Sequence, residues 1–209
     1  MARMTHFSGL MLLCLFLATP SLAFDYLQTL PKSPPIPENN PQTAAKIALG
    51  QRLFFDELLL GANSRLSCNS CHQLAAGGDD NRALSIGQNG KISLRSSPSL
   101  WNIGFQTVLY WDGREISLES QTLDHLRDPI IATWANIGAL VQQLGQSVEY
   151  QKAFSEAFPT DKESFSGISG INIARAIASF ERALLASNSA LDRYIAGDKS
   201  CNTSAAKPW

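Results

Sequence analysis

The 209-residue chain carries 17 Lys and Arg against 18 Asp and Glu, a formal charge of −1, with 44% hydrophobic and 17% charged residues. That length is one or two domains with enough interior for a real core, and the composition is that of a globular protein rather than a disordered or collagen-like one. The near-neutral charge argues against a nucleic-acid partner, no later apolar run reaches the ~20 residues of a membrane-spanning helix, and four cysteines are too few for a disulfide-dense scaffold.

Residues 1–23 read as a secretory signal peptide. Arg3 supplies the basic start, Leu10 to Ala18 the apolar centre, and Ser21-Leu22-Ala23 the small residues before a cleavage site. Cleavage there removes His6 and all three methionines (Met1, Met4, Met11), leaving His72 and His125 as the histidines of the exported chain. Residues 24–40 are polar and rich in proline (Pro31, Pro34, Pro35, Pro37), which predicts an extended arm. Asn40-Pro41 then reads as a helix N-cap with Pro at the first helical position, opening a helix to about Phe55 and a domain expected to span residues 41–199.

From Leu58 to Leu100 neither helical nor strand periodicity persists, and Gly, Asn, Asp and Ser recur, so a long loop is expected. Helical patterning returns at Ser117–Leu126, stops before Pro129, and resumes at Asn136–Leu144 and Val148–Phe158. The clearest helix is Ile171–Ala186. Ile173, Ala174, Ile177, Ala178, Phe180 and Leu184 form its apolar stripe, with Arg175, Glu181 and Arg182 expected to face out. A last turn covers Leu191–Ile195. No strand ladder is legible, and the expected class is all-α with long loops.

The chemistry enters at Cys68-Asn69-Ser70-Cys71-His72, a C-x-x-C-H run that is the attachment signature of a c-type haem. Two thiols on one short turn match the two porphyrin vinyl groups, and the adjacent imidazole becomes the proximal iron ligand. A thioredoxin-like pair would follow a strand, and none precedes Ser67. A zinc site would need further ligands, and only His125 and Cys201 remain. A disulfide would leave His72 without a role. With no methionine left after cleavage, His/Met ligation of the iron is absent. The sixth position falls to His125, to a weak ligand such as Gln88, or to an open site.

From about Ile36 to Lys199 the chain resembles the bacterial di-haem cytochrome c peroxidases, including the related MauG-like enzymes. The resemblance rests on Leu49-Gly50-x-x-Leu53-Phe54-Phe55-Asp56, Ser67-Cys68-x-x-Cys71-His72 and Arg95-x-x-Pro98-x-Leu100-x-Asn102. It continues through Trp111-Asp112-Gly113-Arg114, Leu118-Glu119-x-Gln121, Asp128-Pro129, Phe180-Glu181-Arg182 and Asp192-Arg193-Tyr194. The order matches the N-terminal, peroxidatic half of that family. It implies a cytochrome c-like haem domain in the periplasm that reduces hydrogen peroxide with electrons from a small donor cytochrome or cupredoxin. It further implies a tryptophan between two haems, matched by Trp111, and a distal glutamine, matched by Gln121.

The sequence departs from the pattern in several places. The family's distal histidine ligand is Gln88 here, its distal glutamate is Ile131, and the asparagine used for an interdomain calcium is Ser96, which leaves calcium open. A single C-x-x-C-H implies one covalent haem c. Residues 200–209, with Cys201, lie outside the resemblance and read as a divergent tail of the kind left by truncation or a frameshift. His125 follows Gln121 by four residues on an expected helix, so the two share a face. His125 is accordingly a candidate iron ligand, or an acid/base group in place of the missing glutamate, as against a surface histidine beside Asp124 or Asp128. The alternative to a peroxidase is a single-haem electron-transfer or haem-binding module without turnover.

Overall fold

The computed structural model describes residues 28–161, 165–198 and 200. The expected signal peptide and the tail with Cys201 lie outside them. Among the described residues the regular structure is helical, with three isolated antiparallel bridges, Gln73–Asp79, Ile86–Ile92 and Leu109–Glu115, in place of a sheet. The described residues divide into two compact units. One runs from Pro31 to Ser187; the other holds residues 28–30 and those from Asn188 onward, including a short helix (Ala190–Ile195). The larger unit therefore takes in residues 31–40 of the expected arm and ends before residue 199.

In the larger unit, α1 is Ala44–Phe55, α2 Cys68–Cys71, α3 Leu118–His125, α4 Ile137–Leu144, α5 Val148–Ala157 and α6 Gly170–Arg182. Most starts are side-chain caps: Ser117, Asn136, Ser147 and Ser169 each accept from a backbone N–H three residues on. The start of α1 differs from expectation. Its cap is Thr43, whose hydroxyl accepts from Lys46 N. Asn40 is instead fully buried, and its amide donates to Glu119 Oε1 at 2.7 Å and to Arg175 O at 3.0 Å. A residue that reads as a helix cap thus anchors the arm to α3 and α6.

The core forms around α6, which packs chiefly on α1 and then on α3. Leu49 and Leu53 of α1 meet Ile173, Ala176 and Ile177 of α6, with Leu140, Leu144, Phe154 and Phe158 closing the cluster. The two long helices touch at Gly50: a Cβ there would stand 1.9 Å from Ala176 O. The outward face expected for α6 does not exist. Between Asn172 and Arg182 only Arg175 is not buried, and Glu181 and Arg182 are 6% and 4% exposed. Arg182 can be taken inside because both its terminal nitrogens donate to the two oxygens of Glu119 at 2.8 Å, a bidentate pair linking α6 to α3.

Burial alone would raise the Glu119 carboxyl. The forked donation from Arg182 and the Asn40 amide overcome it and hold the group below its ordinary range. Glu119→Gln, which leaves Arg182 as an unpaired buried cation, is expected to cost about 3–5 kcal/mol, seen as a lower denaturant midpoint at unchanged slope. Because the folded-state value is depressed, the carboxylate's contribution is present above the unfolded glutamate range. It is lost as pH falls through the folded value, so the acid limb of the stability curve should flatten in the variant.

Candidate functional site

The turn α2 is four residues long, too short to persist alone. It is held by His72 N donating to Cys68 O at 2.9 Å and by Ser67 N donating to Ser70 Oγ at 3.0 Å. Three-residue spacing puts Cys68 and Cys71 on one side of that turn. Both thiols are free, and both line a cavity of about 360 Å³ together with His72. Burial pushes the Cys68 thiol up to about 12 and raises Cys71 as well, so neither is an activated thiolate. This is not the electrostatics of a redox pair.

The imidazole of His72 is oriented by Pro98. Its Nδ1 stands 3.0 Å from Pro98 O, and since a carbonyl only accepts, Nδ1 holds the proton and the Nε2 lone pair is left for a metal. Burial lowers the His72 pKa, opposed by the Pro98 and Gly78 backbone, so the ring is neutral at pH 7, as ligation requires. Two thiols on one turn and an oriented neutral imidazole, all on one largely apolar cavity, fit a covalently held haem.

Helix α3 forms a further wall. Gln121, Thr122 and His125 all line the cavity, so the four-residue spacing brings Gln121 and His125 together there. Burial, and then the charge of a protonated His72, push the His125 pKa down to about 4, leaving it neutral. Tyr110 Oη lies 3.5 Å from its Nδ1, and the Arg114 guanidinium covers the Tyr110 ring at 3.5 Å. Ile131, at the position of the family's glutamate, lines the cavity with an apolar side chain. Asp128 is also on the wall, with one oxygen accepting from Ile130 N.

Gln88 and Trp111 stand apart from the α3 wall. Gln88 is buried and does not line the cavity, and its amide nitrogen donates to Ser64 Oγ at 2.7 Å. Trp111 sits at the rim, 62% exposed, with its indole N–H donating to Ser96 O at 2.9 Å. For calcium, no group of three or more His, Cys, Asp or Glu arranged to hold a metal occurs among the described residues.

The sequence profile of the di-haem cytochrome c peroxidases matches residues 44–200. The chain belongs to this family. Among curated members, cytochrome c peroxidase Ccp of Escherichia coli (strain K12) is 35% identical over 173 residues, 83% of this chain and 36% of the relative. Cytochrome c551 peroxidase of Pseudomonas aeruginosa is 34% identical over 195 residues, 89% of this chain and 55% of the relative. Among solved structures, a MauG-like protein associated with microbial copper homeostasis superposes with a TM-score of 0.72 at 36% identity, covering 80% of this chain and 49% of that one. The diheme peroxidase BthA of Burkholderia thailandensis shares the fold at a TM-score of 0.63. This di-haem peroxidase-family chain thus spans between about a third and a little over half of the curated relatives' length.

Glu181 is the cavity residue that a two-sided reading of α6 misses. The signal was present, since Glu181 follows Ile173 and Ile177 at successive four-residue steps and so shares their face. For the attachment residues, the Cys68→Ala/Cys71→Ala double variant is expected to lose the haem-stained band on a denaturing gel of exported protein, with the wild type keeping it.

Proposed function

We propose that this chain is a periplasmic c-type haem protein that reduces hydrogen peroxide, with one haem c joined to Cys68 and Cys71 and ligated by His72. The observation that carries the reading is the meeting of Gln121 and His125 on the cavity that also holds the C-x-x-C-H side chains. Haem c, when bound, supplies the metal centre and one electron for cleavage of the O–O bond. His125, neutral at pH 7, accepts the proton of the entering peroxide, and Gln121 donates a hydrogen bond to it. Ile131 and Leu126 line the same pocket with apolar surface and limit water there.

Reducing peroxide takes two electrons. Both are drawn from a small donor cytochrome or cupredoxin, one restoring the electron that the haem lends and one entering by Trp111, exposed at the rim, while two protons from solvent complete the two waters. Residues 1–23 are proposed as the export signal, which suits covalent haem attachment outside the cytoplasm. Among the described residues no helix is long and apolar enough to cross a membrane.

In the haem-loaded protein, His125→Ala is expected to slow peroxide consumption by about 100-fold or more while the ferric spectrum stays high-spin. A low-spin wild type that turns high-spin and reacts faster on substitution would instead make His125 an iron ligand and the chain an electron-transfer module. With one C-x-x-C-H, these 209 residues are also expected to turn over more slowly with a reduced cytochrome than a two-haem relative assayed alongside. Equal rates would refute the assignment of the second electron to an external route.

A further inference from the structure

Glu181 is a carboxylic acid that the peroxide chemistry above does not use. It stands on the last turn of α6 and lines the haem cavity, where it is only 6% exposed and shares the wall with Phe54 and Leu100. Its Oε2 is fully buried without a hydrogen-bond partner, an expensive arrangement for a charged oxygen. The adjacent Arg182 does not neutralise it, because both its terminal nitrogens are engaged by Glu119. The charges acting on Glu181 are thus Arg182, which favours its ionised form, and Glu119, which opposes it; Cys68 faces it from α2. The other titratable side chains on the cavity are Cys71, His72, Tyr110, His125 and Asp128, with Asp112, Arg114 and Arg95 also contributing to its lining.

A buried acid with its one nearby cation already committed takes its charge state from whatever else fills the cavity. We infer that Glu181 is a redox-linked proton site: it binds a proton when an electron arrives at the haem and releases it when the electron leaves. The inference rests on the haem reading above. The balance is one electron from a one-electron donor reducing ferric iron to ferrous, and one proton from a solvent hydronium, whose O–H bond breaks to leave water as an O–H bond forms on Glu181. Ferric haem adds positive charge to the cavity and favours the carboxylate; ferrous haem withdraws that charge and favours the acid. Without haem, burial first and then the charge of Glu119, opposed by Arg182, raise the group to about 8, and the added charge of ferric haem moves it down from there. Glu181 faces Cys68, which would hold the porphyrin through a thioether, whereas Gln121 and His125 stand on α3. It is a positioning residue for charge rather than a catalytic one.

The test is the midpoint potential of the haem-loaded full chain against pH, wild type beside Glu181→Gln. Below the pH range in which Glu181 titrates both side chains are neutral and the potentials should coincide. Above it the wild type carries a carboxylate and its potential should fall below the variant's, with the gap opening at up to about 59 mV per pH unit. His125, Asp128 and the haem propionates contribute alike to both proteins and cancel in the difference. A gap that does not change with pH overturns the inference. Should Glu181→Gln fail to hold haem, the reduced-minus-oxidised infrared spectrum of the wild type decides. A protonated-carboxyl C=O band gained on reduction supports the proposal, and its absence at every pH sinks it. Failure of the haem reading would show differently, as a chain with no covalent haem in its absorption spectrum.

Discussion

Arg182 is one buried cation set between two carboxylates, and the larger unit is arranged around its choice of Glu119. The choice has a geometric reason. Glu119, on the first turn of α3, presents both oxygens to the guanidinium fork, whereas Glu181 is the next residue along the same helix, and adjacent residues on a helix diverge by about 100°. Pairing across helices clamps α3 to α6, and Asn40 closes the clamp by donating to the same carboxylate from the arm. Gln121 and His125 stand on α3, so the clamp also aims the wall that carries them. What Glu119 gains, Glu181 loses, and the acid left without a counter-ion is the one that faces the haem cavity.

Much of this architecture is legible in the sequence because it is local. Caps at Ser117, Asn136 and Ser147 announce their helices within a residue of where they start, and C-x-x-C-H names its own chemistry. The four-residue step from Gln121 to His125 is likewise a property of one helix. The misreadings concern contacts between distant segments. Asn40 has every local mark of a cap, yet its amide is worth more against Glu119 and Arg175, well over a hundred residues away for the latter. The polar residues at the end of α6 read as solvent-facing because charge ordinarily stays in water. An ion pair made across helices cannot be seen in the periodicity of either.

The region from Leu58 to Leu100 shows no period because it is not built from repeated backbone hydrogen bonds. It is shaped by single tethers: His72 to Pro98, Trp101 to the backbone of Leu74, Gln88 to Ser64, and Ser85 to Ser97. Asn102, in the left-handed region at φ 62°, exchanges two 2.8 Å bonds with Ala186 and so fastens the end of this segment to the chain just beyond α6. Two of them, His72 to Pro98 and Ser85 to Ser97, join residues that line the cavity. A loop of this length stays ordered because its polar groups find partners one by one.

Gly50 has a consequence beyond helix packing. With only a hydrogen where a Cβ would meet the Ala176 carbonyl, α1 and α6 approach closely at this point, and the contact is backbone against backbone. Side chains can shift between rotamers to absorb strain; main chains in register cannot. The crossing therefore works as a hard stop on the distance between Phe54 on one helix and Glu181 on the other, both of which border the cavity. For the proposed haem function such a stop is an advantage, because the less the walls move when the charge at the centre changes, the smaller the reorganisation each electron has to drive.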